Sequence, residues 1–152
     1  VKTHNGEFTM VFLGADHAGF SLKEKAKDWL GEWGIPYENV GALVLDPADD
    51  YPIFAVTAAK KVLADAEGKA VLFCRSGGGM TIAANRWKGI RAVDCTTVES
   101  ALIARKKNNA NILSIATDWL NEDQVKTIIK TFLETPFSGE ERHVRRIAML
   151  DA

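Results

Sequence analysis

The sequence is poor in cysteine and carries almost no net charge. Its 152 residues include only two cysteines, Cys74 and Cys95, and these do not form a CxxC pair. Two cysteines are too few for a disulfide framework, so we expect a reducing, cytoplasmic setting. The formal net charge of -1 gives no indication of nucleic acid or of an anionic membrane surface as a partner.

Long hydrophobic runs are also absent. No apolar stretch approaches the roughly 18 residues that a membrane-spanning helix needs, and no secretory signal peptide is recognisable at the start of the sequence. Hydrophobic residues make up 47% and charged residues 26%, which is typical of a globular protein. The length, with no internal repeat or low-complexity segment, predicts one domain spanning residues 1–152.

Short apolar runs alternate with longer amphipathic stretches along the chain. We predict strands over residues 9–15, 36–44, 70–74, 90–93 and 111–116, and helices over residues 20–33, 53–66, 80–86, 98–107, 122–133 and 140–150. In the 98–107 helix, Val98, Leu102 and Arg105 are expected to share one face. The alternation predicts an α/β fold: a Rossmann-like, doubly wound, parallel five-stranded sheet in a three-layer α/β/α sandwich. Ligands bind at the carboxyl ends of such strands, so residues 14–17, 74–79 and 116–119 are expected to converge.

The segment VLFCRSGGGMTIAAN (71–85) places a cysteine and three consecutive glycines where a strand turns into a helix. It is neither a Walker A sequence nor a GxGxxG fingerprint, which leaves little support for a nucleotide-binding, flavodoxin-like domain. Two interpretations of the glycines are open: N–H groups that cradle an anion, or a turn needed only for tight packing. Cys74 is either a small buried residue or a reactive thiol, with Arg75 beside it to favour the thiolate. Cys95 has no glycine loop after it and is interpreted as structural.

The other polar clusters also have two interpretations each. Asp16 and His17 are either a helix cap and an exposed turn residue, or a hydroxyl acceptor and a group for proton transfer or anion binding. Arg142 and Arg146, four residues apart, form either a solvated basic face or a joint grip on a phosphate or carboxylate. Three asparagines are either turn formers or hydroxyl ligands: Asn108, Asn109 and Asn111. The C-terminal helix, within residues 139–152, has few apolar residues of its own, so we expect it to pack on a neighbouring subunit.

Five segments in order resemble the ribose-5-phosphate isomerase type B and galactose-6-phosphate isomerase family. They are GADHAGFSLKE (14–24), DDYPIFA (49–55), FCRSGGGMTIAANRWKGIRA (73–92), ARKKNNANILSIA (104–116) and GEERHVRRI (139–147). The resemblance implies an aldose–ketose isomerisation of a phosphorylated sugar through an enediolate, without a metal or an organic cofactor. It also implies a homodimer or homotetramer whose sites are built from two subunits. The partner is then a small sugar phosphate, with no nucleic acid and no membrane.

The resemblance also assigns roles to individual residues. Members of one branch use a cysteine at the position of Cys74 as the base, whereas another branch uses a glutamate at the position of Met80. This chain follows the first branch. Ser76 is expected to assist proton shuttling, and Asp16 to hold sugar hydroxyls. The remaining expected contacts are oxyanion amides from Gly77, Gly78 and Gly79, phosphate binding by His17, Arg142 and Arg146, and further substrate contacts by Tyr51, Arg75 and Asn108.

The chain departs from the family pattern at three positions. Lys107 stands where the family has the histidine that opens the sugar ring, and a lysine is a poor acid–base shuttle unless burial lowers its pKa. Asp118 stands where the family has a phosphate-binding arginine, and a carboxylate there repels a phosphate. Arg75 stands where the family commonly has glycine, and it either restores a positive charge or crowds the loop.

Two hypotheses follow for the function. The first is an isomerase acting on ribose 5-phosphate and ribulose 5-phosphate or a related pentose or hexose phosphate, with Lys107 at the ring-opening position and an altered substrate preference. The alternative is a non-catalytic or half-catalytic sugar-phosphate-binding subunit that needs a paralogous partner. A heteromer with a paralogue belongs to that alternative.

Overall fold

The computed structural model describes residues 8–152. Its strands are β1 (Val11–Ala15), β2 (Tyr37–Gly41), β3 (Lys69–Cys74), β4 (Ala92–Asp94) and β5 (Ile112–Ala116). Its helices are α1 (Phe20–Glu32), α2 (Tyr51–Ala64), α3 (Gly78–Ala84), α4 (Val98–Asn108), α5 (Glu122–Glu134) and α6 (Glu141–Ala148). The strands form one parallel sheet in the order β2-β1-β3-β5-β4, so the predicted fold class is confirmed.

Two apolar layers pack on opposite faces of this sheet. Side chains alternate along a strand, so Val71 and Phe73 face the layer under α1, α4 and α5, whereas Leu72 and Cys74 face the layer under α2 and α3. The three central strands β1, β3 and β5 are buried along their whole length. This agrees with the continuous apolar runs expected of parallel strands covered on both faces.

Some helix boundaries and faces differ from the sequence prediction. Helix α2 begins at Tyr51 instead of residue 53, because Pro52 fits the first turn of a helix, where no N–H is needed. Leu102 and Arg105, expected on one face of α4, differ in burial, because only Arg105 is buried. Ala101 and Ala104 line the buried face of α4, since their small side chains let the helix approach the sheet, and Leu102 is exposed.

The C-terminal helix is attached to its own chain. Helix α6 packs against α4, and its His143 is buried with Nδ1 2.8 Å from Oγ of Ser138. Beyond α6, a carboxylate oxygen of Asp151 accepts a hydrogen bond from the N–H of Gly89 at 2.9 Å. Packing of residues 139–152 on a neighbouring subunit stays a prediction. Within residues 8–152, no helix has both the length and the apolar character required to traverse a bilayer.

Candidate active site

The carboxyl ends of the central strands bring together the predicted segments. In the sheet, β2 lies on one side of β1 and β3 lies on the other. The point where strand order reverses is therefore between β1 and β3. Asp16 follows β1, and Cys74 ends β3 beside it. Residues after β5 join them, because the N–H of Thr117 donates to the carbonyl of Cys74 at 2.9 Å. The expected convergence of 14–17, 74–79 and 116–119 is therefore confirmed.

Cys74 is a buried thiol surrounded by backbone N–H groups. Its residue is 5% exposed, and Sγ accepts a hydrogen bond from the N–H of Gly77 at 3.1 Å. Burial raises the pKa of the thiol above its usual value, the N–H groups of Gly77, Met80 and Ser76 oppose this, and the charge of Asp16 adds to the increase. The net direction is upward, so the resting group is a neutral thiol.

The structure gives no support to the sequence expectation that Arg75 favours a Cys74 thiolate. The pKa of the thiol is raised, with no contribution from the guanidinium among its causes. The side chain of Arg75 is 68% exposed, and its Nη1 lies 3.6 Å from Oδ2 of Asp118. The two residues are brought together because the N–H of Asp118 donates to the carbonyl of Arg75 at 3.1 Å. Two of the three departures from the family pattern are thus in contact.

Close packing requires glycine at two of the three positions after Cys74. Gly77 has a φ of +80°, and a Cβ there would lie 2.7 Å from Oδ1 of Asp94. A Cβ on Gly79 would lie 2.7 Å from the ring of Tyr51. Packing therefore accounts for Gly77 and Gly79, whereas a Cβ on Gly78 would lie no closer than 3.8 Å to another residue. The loop also opens α3, and the N–H groups of Gly78 and Gly79 are in the first turn, where no intrahelical acceptor exists. These two N–H groups remain suited to an oxyanion.

Asp16 holds the turn that leads into the first helix, and the helix-cap interpretation of the sequence is wrong, because the N-cap is Gly19. Its residue is 7% exposed, and Oδ1 accepts a hydrogen bond from the N–H of Gly19 at 3.0 Å. The bond fixes this carboxylate at the start of α1. Within the described chain, only Oδ1 is engaged in a hydrogen bond. This hydrogen bond thus leaves the second oxygen for a ligand hydroxyl.

His17 is held by a residue that sequence reasoning missed. Both the backbone N–H and the ring Nδ1 of His17 contact Oδ1 of Asp49, at 3.0 Å and 2.7 Å. This leaves Nε2 for a ligand, and the side chain is 34% exposed. Asp49 lies in the polar loop before α2, 32 positions from His17. In the sequence, only its place in the DDYPIFA segment marks Asp49 as a candidate site residue. No local sequence pattern relates it to a particular histidine.

Lys107 and Asn108 lie at the opposite end of the sheet from Cys74. Helix α4 follows β4 and runs back to the start of β5, so its last residues are at the amino ends of the strands. There they line a cavity of about 170 Å³ with four residues of the C-terminal segment: His143, Arg146, Ile147 and Leu150. One chain therefore does not bring its Lys107 to its own Cys74.

The remaining residues singled out from the sequence are exposed or make contacts that stabilise the fold. Arg142 is exposed, and its Nε donates to Glu140 at 2.9 Å. Asn109 ends α4 with a φ of 46°, and Asn111 bonds the backbone at Gly89 and Arg91, so these two are turn formers. Cys95 is fully buried, and burial raises its pKa to about 11, as expected of a structural cysteine. Among the described residues, no three His, Cys, Asp or Glu side chains are grouped as a metal site requires.

Known proteins share both the sequence and the fold. A model of the Ribose/Galactose Isomerase family matches residues 11–150. Ribose-5-phosphate isomerase B of Mycobacterium tuberculosis is 38% identical over 140 residues, covering 92% of this chain and 86% of that protein. A putative sugar phosphate isomerase of Bacillus subtilis is 32% identical, with 92% and 93% covered.

Solved structures agree with the sequence comparisons. The crystal structure of a ribose 5-phosphate isomerase from Thermotoga maritima is 40% identical with a TM-score of 0.89, covering 94% of this chain and 97% of that one. The enzyme from Mycoplasma genitalium, solved with bound ribulose-5-phosphate, is 31% identical with a TM-score of 0.90, covering 93% of both chains. With matches that run through nearly the whole chain and all of its strands, this chain belongs to the ribose/galactose isomerase family.

Proposed function

We propose that this chain interconverts an aldose phosphate and its ketose isomer, with Cys74 as the base at carbon. The observation that carries the proposal is the thiol of Cys74 at the strand-order reversal, enclosed by N–H groups and beside Asp16 and His17. The chemical class agrees with membership of a family of sugar-phosphate isomerases. Ribose 5-phosphate is the first substrate to test, because relatives are named for it and one holds ribulose-5-phosphate.

The reaction needs one proton moved between two carbons. The Cys74 thiolate removes the proton from C2 of the open-chain aldose, the C–H electron pair forms the C1–C2 double bond, and the carbonyl oxygen becomes an enediolate oxyanion. The N–H groups of Gly78 and Gly79 stabilise that oxyanion. The thiol then returns the proton to C1. Ser76 passes a proton from the C2 hydroxyl to the C1 oxygen, so atoms and charge balance over the cycle.

A second copy of the chain completes this site in our proposal. Lys107, Asn108 and Arg146 form one half-site at the amino ends of the strands, whereas Cys74 belongs to the other half-site. Exposed apolar side chains surround the Cys74 end of the sheet, after β2 and on α2 and α3, and such a patch favours a protein interface. They are Leu43, Val44, Leu45, Ile53 and Ile82. In the dimer, His17 of one copy and Arg142 and Arg146 of the other bind the substrate phosphate.

The direct test measures interconversion of ribose 5-phosphate and ribulose 5-phosphate by the purified chain, followed by a panel of hexose phosphates. Turnover is expected, and Cys74→Ala should lower kcat by at least about a thousandfold, within the range attributed to a positioned base. Cys95→Ala is the matched control, since it removes the other buried thiol away from the glycine loop, and it should keep its activity. A Cys74→Ala protein with full activity would refute the assigned base.

The half-catalytic alternative is favoured by one observation only, the lysine at position 107 in place of the ring-opening histidine. It predicts that the homogeneous protein binds ribose 5-phosphate with little turnover. Activity would then appear when a paralogous chain carrying the histidine is added. Robust turnover by the chain alone excludes this alternative.

A further inference from the structure

A cavity at the amino ends of the strands is lined by three cations that play no part in the proposed reaction. It has a volume of about 450 Å³ and lies where β3, β4 and β5 begin and α2, α4 and α5 end. Lys69 begins β3, Arg91 precedes β4, and Arg105 reaches in from the last turn of α4. The Lys107 half-site is separate, since the two cavities have no lining residue in common.

Two of these cations are buried and Arg91 is half-buried, and none has a directly bound counter-ion among the described residues. Lys69 is 7% exposed and Arg105 is 6% exposed. Within residues 8–152, none of the three forms an ion pair with a carboxylate. Buried charges are usually paired, because leaving water costs several kcal/mol per ion. Three carboxylates, Asp65, Glu67 and Glu134, line the same cavity. Because none of them is paired directly with a cation in the described part of the chain, the two buried cations and the half-buried Arg91 still favour an added anion.

Neighbouring charges in this cluster repel: Arg105 acts on Lys69, and Arg91 acts on Arg105, whereas Arg91 itself is acted on by the carboxylate of Asp151. The pKa of Lys69 is lowered to about 8, first by burial and then by the charge of Arg105. Burial lowers the pKa of Arg105 to about 10, and the charge of Arg91 adds to this. The nearby carboxylates do not cancel the effect: Glu67 and Glu134 are exposed, and Asp65 accepts bonds from its own turn at Glu67 and Gly68.

Hydrogen bonds to the ends of helices and loops use only some of the N–H donors of the three cations. Arg105 donates from Nε to the carbonyl of Thr135 and from Nη1 to Asn109 and Ala110, which leaves Nη2 without an acceptor among the described residues. Arg91 uses Nε and Nη1 in the same way, on the carbonyls of Asn109 and Gly89. Lys69 has one long contact, 3.5 Å to the carbonyl of Glu67. Five or more N–H donors are therefore free to face a ligand.

We propose that this cavity is a second anion-binding site, which takes the phosphate group of a small phosphate ester or polyphosphate between Lys69, Arg91 and Arg105. Planar guanidinium groups bind phosphate oxygens through paired N–H bonds, and a lysine adds a point charge. The volume exceeds that of a phosphate group alone. Apolar side chains from Val62, Pro136 and Phe137 line the remaining wall and suit the organic part of an ester.

The test uses inorganic pyrophosphate as the probe and calorimetric titration as the readout. Because the proposed active site also binds phosphate, the titrations are made with the full chain carrying Arg142→Gln and Arg146→Gln. In that background Lys69→Met should weaken pyrophosphate binding at least tenfold. Lys106→Met, which removes an equal charge from an exposed position on α4, is the matched control and should leave binding unchanged. Equal affinity for both variants, or no binding in the background protein, overturns the proposal.

A second variant protects the test against a simple loss of folding. Lys69→Glu supplies the missing counter-ion within reach of Arg91 and Arg105, so the protein should stay folded by circular dichroism while pyrophosphate binding is lost. Retained binding in Lys69→Glu contradicts the assignment. Because binding is read without turnover, the result is independent of the isomerase proposal. In the otherwise unchanged chain, Lys69→Met should keep its kcat/KM for ribose 5-phosphate.

Discussion

Nη1 of Arg75 lies 3.6 Å from Oδ2 of Asp118, across the ends of the neighbouring strands β3 and β5. The family resemblance predicts a glycine at position 75 and a phosphate-binding arginine at position 118. In this chain the cation stands at position 75, and it is paired with the carboxylate at position 118. Two departures that look independent in the sequence are thus one paired feature of the site.

The pairing predicts opposite effects of the two single substitutions. Arg75→Gly leaves Asp118 without its neutralising cation and should raise KM for the sugar phosphate about tenfold, whereas Asp118→Asn should lower KM about threefold. The double variant should return to within about twofold of the unmodified protein. Steady-state kinetic measurements of KM for the two single variants and the double variant test this prediction. Additive effects of the two substitutions would mean that the pair does not act as a unit. Since both side chains are largely exposed, unfolding free energy should change little.

Asp49 is expected to act on substrate binding through His17. Asp49→Asn removes the carboxylate that contacts both the backbone N–H and Nδ1 of His17, so the ring loses its fixed orientation. We expect KM to rise about tenfold, consistent with one charge-assisted hydrogen bond, while kcat stays within about twofold. Asp50→Asn is the control, because Asp50 begins α2 without a side-chain cap. A fall in kcat with constant KM would instead place Asp49 in the chemical step.

The fold was predictable because it follows from burial along each element. Apolar runs such as residues 70–74 alternate with amphipathic helices, and this repetition leaves few arrangements besides a parallel sheet covered on both faces. Helix faces were less predictable. The stripe containing Leu102 has the right spacing for burial, but the alanines beside it allow closer packing, so the helix is rotated.

The candidate site was predictable only where it follows strand ends. Asp16 and Cys74 could be placed together because parallel strands end at one edge of the sheet. Asp49 could not be paired with His17, because a long polar loop connects them and loop paths depend on tertiary contacts. The separation of Lys107 from Cys74 could not be predicted without knowing the direction in which α4 crosses the sheet. The three cations around the second cavity come from three elements, and no sequence spacing relates them.

The raised pKa of Cys74 predicts a pH dependence of the reaction. A base acts only when it is deprotonated, and burial moves that event above the usual thiol pKa. We expect kcat/KM to increase with pH through the neutral range and beyond, without reaching a plateau before the thiol titrates. Cys95→Ala should keep the same rising limb. A profile that is flat from pH 6 to pH 9 would show that another group accepts the proton.

Lys69 is expected to cost the protein stability near neutral pH. Its pKa is about 8 in the fold, against 10.5 for an unperturbed lysine, so the unfolded chain binds more protons between these two values. The free energy of unfolding therefore rises with pH across that window, by up to about 3 kcal/mol from this group. Arg105 on α4 and the carboxylates of Asp65 and Glu67 are the charges that act on it.

Lys69→Met removes this dependence while keeping an unbranched side chain in the cavity wall. At pH 7 the variant should be more stable than the unmodified protein, by up to about 3 kcal/mol, and the difference should vanish near pH 10.5. Urea unfolding at a series of pH values measures it, with Lys106→Met as the exposed control that should show no such trend. In the Arg142→Gln and Arg146→Gln background, added pyrophosphate should narrow or reverse the difference at pH 7, because the protein with Lys69 binds the anion more tightly and gains more stability from it. A variant that is less stable at pH 7 without any anion would mean that Lys69 is already paired with a negative charge. The main argument for anion binding in this cavity would then fail.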